Sequence, residues 1–292
     1  MKIYDCTTFH SEHMMMDVRF NALNEHIHKF IVVESLFSHS GEKKKLNFDI
    51  NNYPKFKDKI IYLVIDREPD DLINPLNENI QYKRINSIKR IELSYDFMMS
   101  EIKKLSDKDL IILSDNDEIP NLDSAQFKDS NSDIYIFKQL FFYYKFNLLY
   151  DRMYWFGSKA CTKKKLKSLS WLRNLKNKKY PFWRVDTFFS KTKNSSLKII
   201  NDGGWHFTNV MSAENLYTKM TNFGHHDEFE LSELSVEDLK IKINQGLVFY
   251  DHFAGQEDKN KWEFNYKLKK ISDNLLPDSL IKDKIKLKEW FN

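Results

Sequence analysis

The run Leu110-Ile111-Ile112-Leu113, followed at once by Ser114-Asp115-Asn116-Asp117-Glu118-Ile119-Pro120, constrains this chain more than any other stretch. Four consecutive apolar residues bounded by polar ones read as a strand covered on both faces, the usual condition inside a parallel sheet. Open α/β sheets take their ligands in the crevice outside the carboxyl ends of such strands, so acidic side chains there face a crevice and not a core. Carboxylates at i and i+2, with a third beside them, repel one another unless a cation or a proton joins them. Oxygen ligands of this kind suit a hard divalent cation, Mn²⁺ or Mg²⁺. A plainer account of the same residues is an acidic loop in which Asp115 or Asp117 caps a turn or helix.

Other apolar runs end in the same way, Phe30-Ile31-Val32-Val33 at Glu34 and Ile60–Ile65 at Asp66. Residues 2–5 predict a further short strand, and 14–23 a helix in which Met14, Met15, Val18 and Ala22 recur about once per turn. Two helices, over 76–93 and 96–105, are expected before the acidic strand. Strands alternating with helices imply an α/β fold with a mostly parallel central sheet. After Pro120, residues 134–137 and the aromatic run 140–146 read as strands, and 159–180 as a basic, loop-like or partly helical insertion. Helices follow over 212–222 and 236–244, capped by Ser212 and Ser235. A Lys-rich tail closes with a helix over 277–290. The expected organisation is one catalytic domain over 1–252 and a basic helical tail over 253–292.

At 292 residues the chain can bury a substantial core, and its few glycines and prolines with 15% aromatic residues argue against disorder. Cys6 and Cys161 are far apart in sequence, which makes a reducing compartment the simpler expectation. No apolar stretch reaches spanning length and no signal peptide is visible, so the expected location is cytoplasmic, with peripheral contact to the inner face of a membrane left open. Lys163-Lys164-Lys165 with Lys176, Lys178 and Lys179 form a cluster that suits an anionic membrane, a phosphorylated acceptor or plain solvation. A net charge of +4 is too mild to favour nucleic acid.

Three blocks resemble one known family in their order along the chain. Residues 9–48 carry Asp17-Val18-Arg19 within a helix and a strand ending Val33-Glu34-Ser35; the second block is Ser114 to Pro120. The third is Gly203-Gly204-Trp205-His206-Phe207 with Ala213-Glu214-Asn215-Leu216-Tyr217-Thr218-Lys219 behind it. Together these blocks span roughly residues 2–252 and look like glycosyltransferase family 17. The resemblance implies a GT-A-like nucleotide-sugar-binding fold and a metal-dependent, inverting transfer of a sugar. The implied donor is UDP-N-acetylglucosamine, and the acceptor a glycan, lipid-linked saccharide or surface polysaccharide.

Roles follow from that resemblance and from what glycosyl transfer requires: a stabilised diphosphate leaving group and an activated acceptor hydroxyl. Asp115 and Asp117 are expected to hold the metal and the donor ribose, with Glu118 in support. His206 would complete the metal shell; a hydrogen-bonded core histidine is the alternative. Glu214, on the first turn of a helix, is the expected general base, against a carboxylate that merely complements the helix dipole. Asp186 is the substitute base. Lys219 and His225 are placed to reach phosphate oxygens, Glu34 to contact the base or ribose, and Arg84 to join the donor site from the preceding helix. Trp205 is expected to stack on a sugar ring, and Tyr143 and Tyr144 to line the acceptor cleft, with strand core as the competing reading for the tyrosines. A glycosyltransferase acting on a modified nucleic-acid base, and a non-catalytic polyanion-binding module with a structural cation, are the other functional classes the residues permit.

Overall fold

Period-two alternation decides the layering of the main sheet. In β2 (Lys29–Ser35), Phe30 and Val32 face one core while Ile31 and Val33 face another; in β4 (Leu110–Leu113), Leu110 and Ile112 oppose Ile111 and Leu113 in the same way. A strand buried on both faces needs a helix on each. The first core is covered by α1 (His13–Leu23) through Met15, Met16, Phe20 and Leu23, and receives Phe127 from α3 (Ala125–Lys128). On the opposite face Tyr95, Met98 and Ile102 of α2 (Ile80–Ile102) join Leu169 and Leu172 of α4 (Leu169–Asn174). This computed structural model describes residues 1–73, 80–181, 190, 192–222, 229, 232–254 and 259–292.

The main sheet has seven strands in the order β10-β6-β9-β4-β1-β2-β3, adding β1 (Ile3–Phe9), β3 (Ile60–Ile65), β6 (Ile134–Phe137), β9 (Lys159–Thr162) and β10 (Lys198–Ile200). Its pairings are parallel except that β9 runs antiparallel between β4 and β6. A second sheet has the order β12-β8-β7-β11-β5, from β5 (Glu118–Pro120), β7 (Leu140–Tyr143), β8 (Leu148–Leu149), β11 (Gly204–Thr208) and β12 (Lys269–Lys270). Helices α5 (Ala213–Asn222) and α6 (Val236–Gln245) pack on it through Ala213, Leu216 and Leu239. The expected α/β fold with a mostly parallel sheet flanked by helices is the fold observed.

Three local expectations change. The pair of helices before β4 is one 23-residue helix, because residues 93–96 contain neither Gly nor Pro, and Ser94 turns its hydroxyl back to the Arg90 carbonyl (3.3 Å) without breaking the ladder. The basic insertion begins with a central strand, β9. Lys159 is buried there because its ammonium is spent on the Arg173 and Leu175 carbonyls at the end of α4 (2.6 and 2.7 Å). The closing helix shrinks to α7 (Asp278–Lys282) and a 3-10 turn at Lys288–Trp290. Leu276, Leu280 and Leu287 enter the same core as α1, so the tail packs as part of the body. Among the described residues no helix is long and apolar enough to cross a membrane, and Cys6 and Cys161 are both buried and unpaired.

Candidate active site

Strands β1, β2 and β3 build outward in one direction, whereas β4 returns to the other side of β1. The winding therefore reverses between β1 and β4, which is where open α/β sheets bind ligands. A cleft of about 700 Å³ lies there, within the range of small-molecule sites. The chain leaving β1 supplies His10, Ser11 and Glu12; the turn after β4 supplies Asn116 and Asp117; α5 supplies Asn215, Thr218 and Lys219; the tail closes one wall with Lys286, Leu287 and Trp290.

The acidic turn is gripped from two sides. Below it, the fully buried Arg19 of α1 pairs with Asp5 of β1 (2.7 and 2.5 Å) and donates to the backbone carbonyls of Asp115 (3.1 Å) and Glu118 (2.6 Å). Beside it, the Arg173 guanidinium of α4 meets Asp115 Oδ2 at 2.6 Å and Glu118 Oε2 at 2.9 Å. Glu118 is wholly buried. Its carboxylate also accepts from Trp155 Nε1 (2.6 Å) and from the Asp115 N–H (2.8 Å), and a Cβ on Gly157 would collide with it. Burial, the largest effect, pushes the Asp115 carboxyl up to about 6 together with the neighbouring Glu118 and Asp117 charges, against the pull of Arg173. Arg173 itself is held well above the usual arginine value by Asp115 and Glu118, despite burial.

Asp117 is turned the other way, into the cleft. Pairing of β5 with β11 sets His206 opposite Glu118, and the Phe207 N–H donates to the Asp117 carbonyl at 2.8 Å. His206 Nε2 thereby lies 3.5 Å from Asp117 Oδ1, and Lys219 Nζ lies 4.0 Å from Oδ2. Burial raises the Asp117 pKa, but His206 and Lys219 outweigh it and hold the carboxyl at about 2. The His206 ring packs against both Phe141 (4.8 Å) and Trp155 (4.7 Å), which also touch each other (5.3 Å), and among the described residues its buried Nδ1 has no hydrogen-bond partner.

The profile of glycosyltransferase family 17 matches residues 1–255. The chain belongs to glycosyltransferase family 17. Its activity is therefore glycosyl transfer, and the family implies a nucleotide-sugar donor and a glycan acceptor. No curated protein matches the chain. Among solved structures it is similar to the inositol-1-phosphate CTP transferase from T. maritima, with 15% identity and a TM-score of 0.30 over 56% of this chain and 71% of that one. It is also similar to HddC from Yersinia pseudotuberculosis complexed with GMP-PN, with 11% identity and a TM-score of 0.30 over 68% and 89% of the two chains.

In this glycosyltransferase the structure brings Asp117, His206 and Lys219 together and sends other expected site residues elsewhere. Glu34 is buried and fully engaged: Lys44 and the Asn47 N–H meet Oε1, and the Phe48 N–H and Tyr62 hydroxyl meet Oε2, so it folds the loop after β2 instead of facing a donor. Glu118 is likewise an internal brace. Glu214 points from α5 to Lys240 of α6 (2.9 Å), outside the cleft lining. The Lys240 hydrogen bond, with further hydrogen bonds from the helix backbone and Ser212, lowers its carboxyl pKa to about 2. Trp205 lies outside the cleft lining, its Nε1 donating to the Leu275 carbonyl at 2.6 Å. Tyr143 and Tyr144 are core: one hydroxyl meets His252 Nε2 and the other the Leu247 carbonyl. Arg84 lies half-buried on α2, outside the cleft lining. Asp186 and His225 fall outside the described residues.

Sequence reasoning missed Arg19, Arg173, Glu12 and Asn116. Arg19 carried a signal, the Asp-x-Arg of the opening block; Arg173 carried none, being one cation in a basic stretch. Glu12 is held in the cleft by the His10 and Ser11 N–H groups and by Asn116 Nδ2 (2.9 Å). Among the described residues no three His, Cys, Asp or Glu side chains converge to hold a metal ion. A metal-ligating histidine ordinarily gives its second ring nitrogen a polar partner. Among the described residues Nδ1 of His206 has none, while Nε2 faces Asp117 Oδ1, so the ring is placed to brace that carboxylate. The residues present fit a cation held by one carboxylate together with substrate phosphates, a common arrangement for Mg²⁺.

Proposed function

We propose that this glycosyltransferase binds a UDP-sugar, with N-acetylglucosamine as the family-implied sugar, in the cleft between β1 and β4, and transfers it with inversion to a glycan, lipid-linked saccharide or surface polysaccharide. The observation that carries the reading is the placement of Asp117 and Lys219 on one wall of a cleft at the switch point of the sheet.

In this reading Lys219 balances diphosphate charge and Asp117 holds a divalent cation, Mn²⁺ or Mg²⁺. Such a cation, when bound, would supply a Lewis acid for the departing diphosphate. His206 orients the Asp117 carboxylate, and its contacts with Phe141 and Trp155 fix the His206 ring. Lys219 needs no proton transfer to act, because a fixed positive charge directed at the leaving group lowers the barrier as bond breaking proceeds. Asp186 is the proposed base toward the acceptor hydroxyl.

A thermal-shift screen of nucleotide sugars with Mn²⁺ tests the reading. A donor at 100 times its Kd stabilises the folded chain by about 2.7 kcal/mol. The expected result is a rise in melting temperature with UDP-N-acetylglucosamine that needs the cation and disappears in Asp117→Ala. An equal rise in that variant would remove Asp117 from donor binding.

A further inference from the structure

We infer that Arg173 is the resident counter-cation of the acidic turn and that Asp115 is its anchor, leaving Asp117 as the carboxylate of that turn available to a divalent cation and a nucleotide diphosphate. The inference rests on the donor placement proposed above and refines it.

Asp115 and Asp117 are two residues apart, yet their carboxylates serve different partners. Asp115 Oδ2 and Glu118 Oε2 are spanned by one guanidinium, at 2.6 and 2.9 Å, a fork that a lysine ammonium cannot reproduce. Arg173 NH1 also donates to the Gly157 carbonyl at 3.2 Å, so the guanidinium is fixed to the backbone beside Glu118 as well as to the carboxylates. The other arginine at this turn, Arg19, is neutralised by Asp5 and touches carbonyl oxygens, not the Asp115 carboxylate. Among the described residues, Arg173 is thus the cation that forms ion pairs with Asp115 and the buried Glu118. A divalent cation coordinated by Asp115 Oδ2 would lie against that guanidinium and meet like-charge repulsion in a partly buried place. On the cleft side, Asp117 has His206 and Lys219 and, among the described residues, no guanidinium in front of it. The aspartate pair of the motif is therefore divided: one arm fixes the turn to α4, and the other works.

Arg173 acts here through Asp115 and Glu118 on the placement of Asp117, which makes it a positioning residue. Its test is Mn²⁺ binding in the presence of UDP, measured by titration calorimetry on the full chain and on three variants. Asp115→Asn should bind Mn²⁺ within about threefold of the parent, while Asp117→Asn should weaken binding roughly tenfold or more. Removing Arg173 alone would strand the buried Glu118 charge and endanger folding. The third variant is therefore the double change Arg173→Met with Glu118→Gln, which frees Asp115 without that penalty. It should bind Mn²⁺ more tightly than the parent, by about threefold or more, because a second carboxylate becomes available and a repelling charge is gone. Equal losses in Asp115→Asn and Asp117→Asn would overturn the inference, as would unchanged or weaker binding by the double variant. Asp117→Asn binding like the parent would instead overturn the donor placement, and this inference with it.

Discussion

At Asp117, burial and local charge pull in opposite directions, and charge wins. Desolvation raises the carboxyl pKa; His206, through charge and a hydrogen bond, and then Lys219 bring it down to about 2. A folded-state pKa below the unfolded value contributes stability that is present above the unfolded pKa, near 4, and is lost as pH falls through the folded one. With Asp117 only 15% exposed, that shift is worth about 2 kcal/mol. In metal-free buffer, Asp117→Asn should therefore lose about 2 kcal/mol less stability than the parent between pH 4 and pH 2. Urea unfolding at the two pH values measures it, and parallel losses would show that His206 and Lys219 do not hold the carboxylate. Sequence could place Asp117 at a strand end but not direct its side chain. Which arm of Asp115-Asn116-Asp117 enters the cleft depends on Arg173, 56 residues beyond Asp117, and nothing local encodes that meeting.

Among the elements, the short pairing of β5 with β11 has the largest effect on the site, since it carries Asp117 to His206. Two glycines make it possible. A Cβ on Gly203 would meet the Lys138 backbone at 2.3 Å, and Gly204, at φ +107°, would press one against the Ile119 carbonyl oxygen at 2.2 Å. Gly204→Ala should cost at least about 1–3 kcal/mol from backbone conformation. Because β5 must shift to relieve the contact, glycosyl transfer should fall further than stability does. Urea unfolding and initial rates on the same preparation check both, and a rate unchanged in a destabilised protein would detach β5–β11 from the site. The Gly-Gly-Trp-His block was legible as a motif, although its use was not. Alternation along a strand sends His206 toward Asp117 and Trp205 to the opposite side, where it meets the tail, so the residue expected to stack on sugar packs the core. Strands such as β2, β3 and β4 were legible because both faces are apolar. β9 was not, since four residues beginning with a lysine carry too little pattern, and only the carbonyls at the end of α4 explain why that lysine is buried.

For the whole molecule, the boundary suggested by a Lys-rich composition does not correspond to a physical one. Residues after 252 contribute Leu268, Leu276, Leu280 and Leu287 to the buried core, and Trp290 and Phe291 pack against it. The tail is also tied to the second sheet by backbone and side-chain bonds: the Phe146 N–H donates to the Trp290 carbonyl (2.8 Å), and Asn147 exchanges hydrogen bonds with Asn292 (3.1 and 2.8 Å). At roughly 2 kcal/mol per fully buried leucine, the four together represent on the order of 8 kcal/mol. The net stability of a folded domain is itself only about 5–15 kcal/mol. A chain ending at residue 252 should therefore lose its fixed tertiary packing and, with Leu287 and Trp290 gone from the cleft wall, its donor binding. Near-ultraviolet circular dichroism and the UDP-sugar thermal shift read the two effects separately. A truncated chain that kept both would make the tail an appendage after all. One that kept its near-ultraviolet signal but not donor binding would confine the tail's role to the cleft. The lysines of this segment do not argue against its integration, because long basic side chains can lay their stems on apolar surface and keep their charge in water. Lys286 does so at the rim of the cleft, where its ammonium reaches Asp17 of α1 at 3.1 Å.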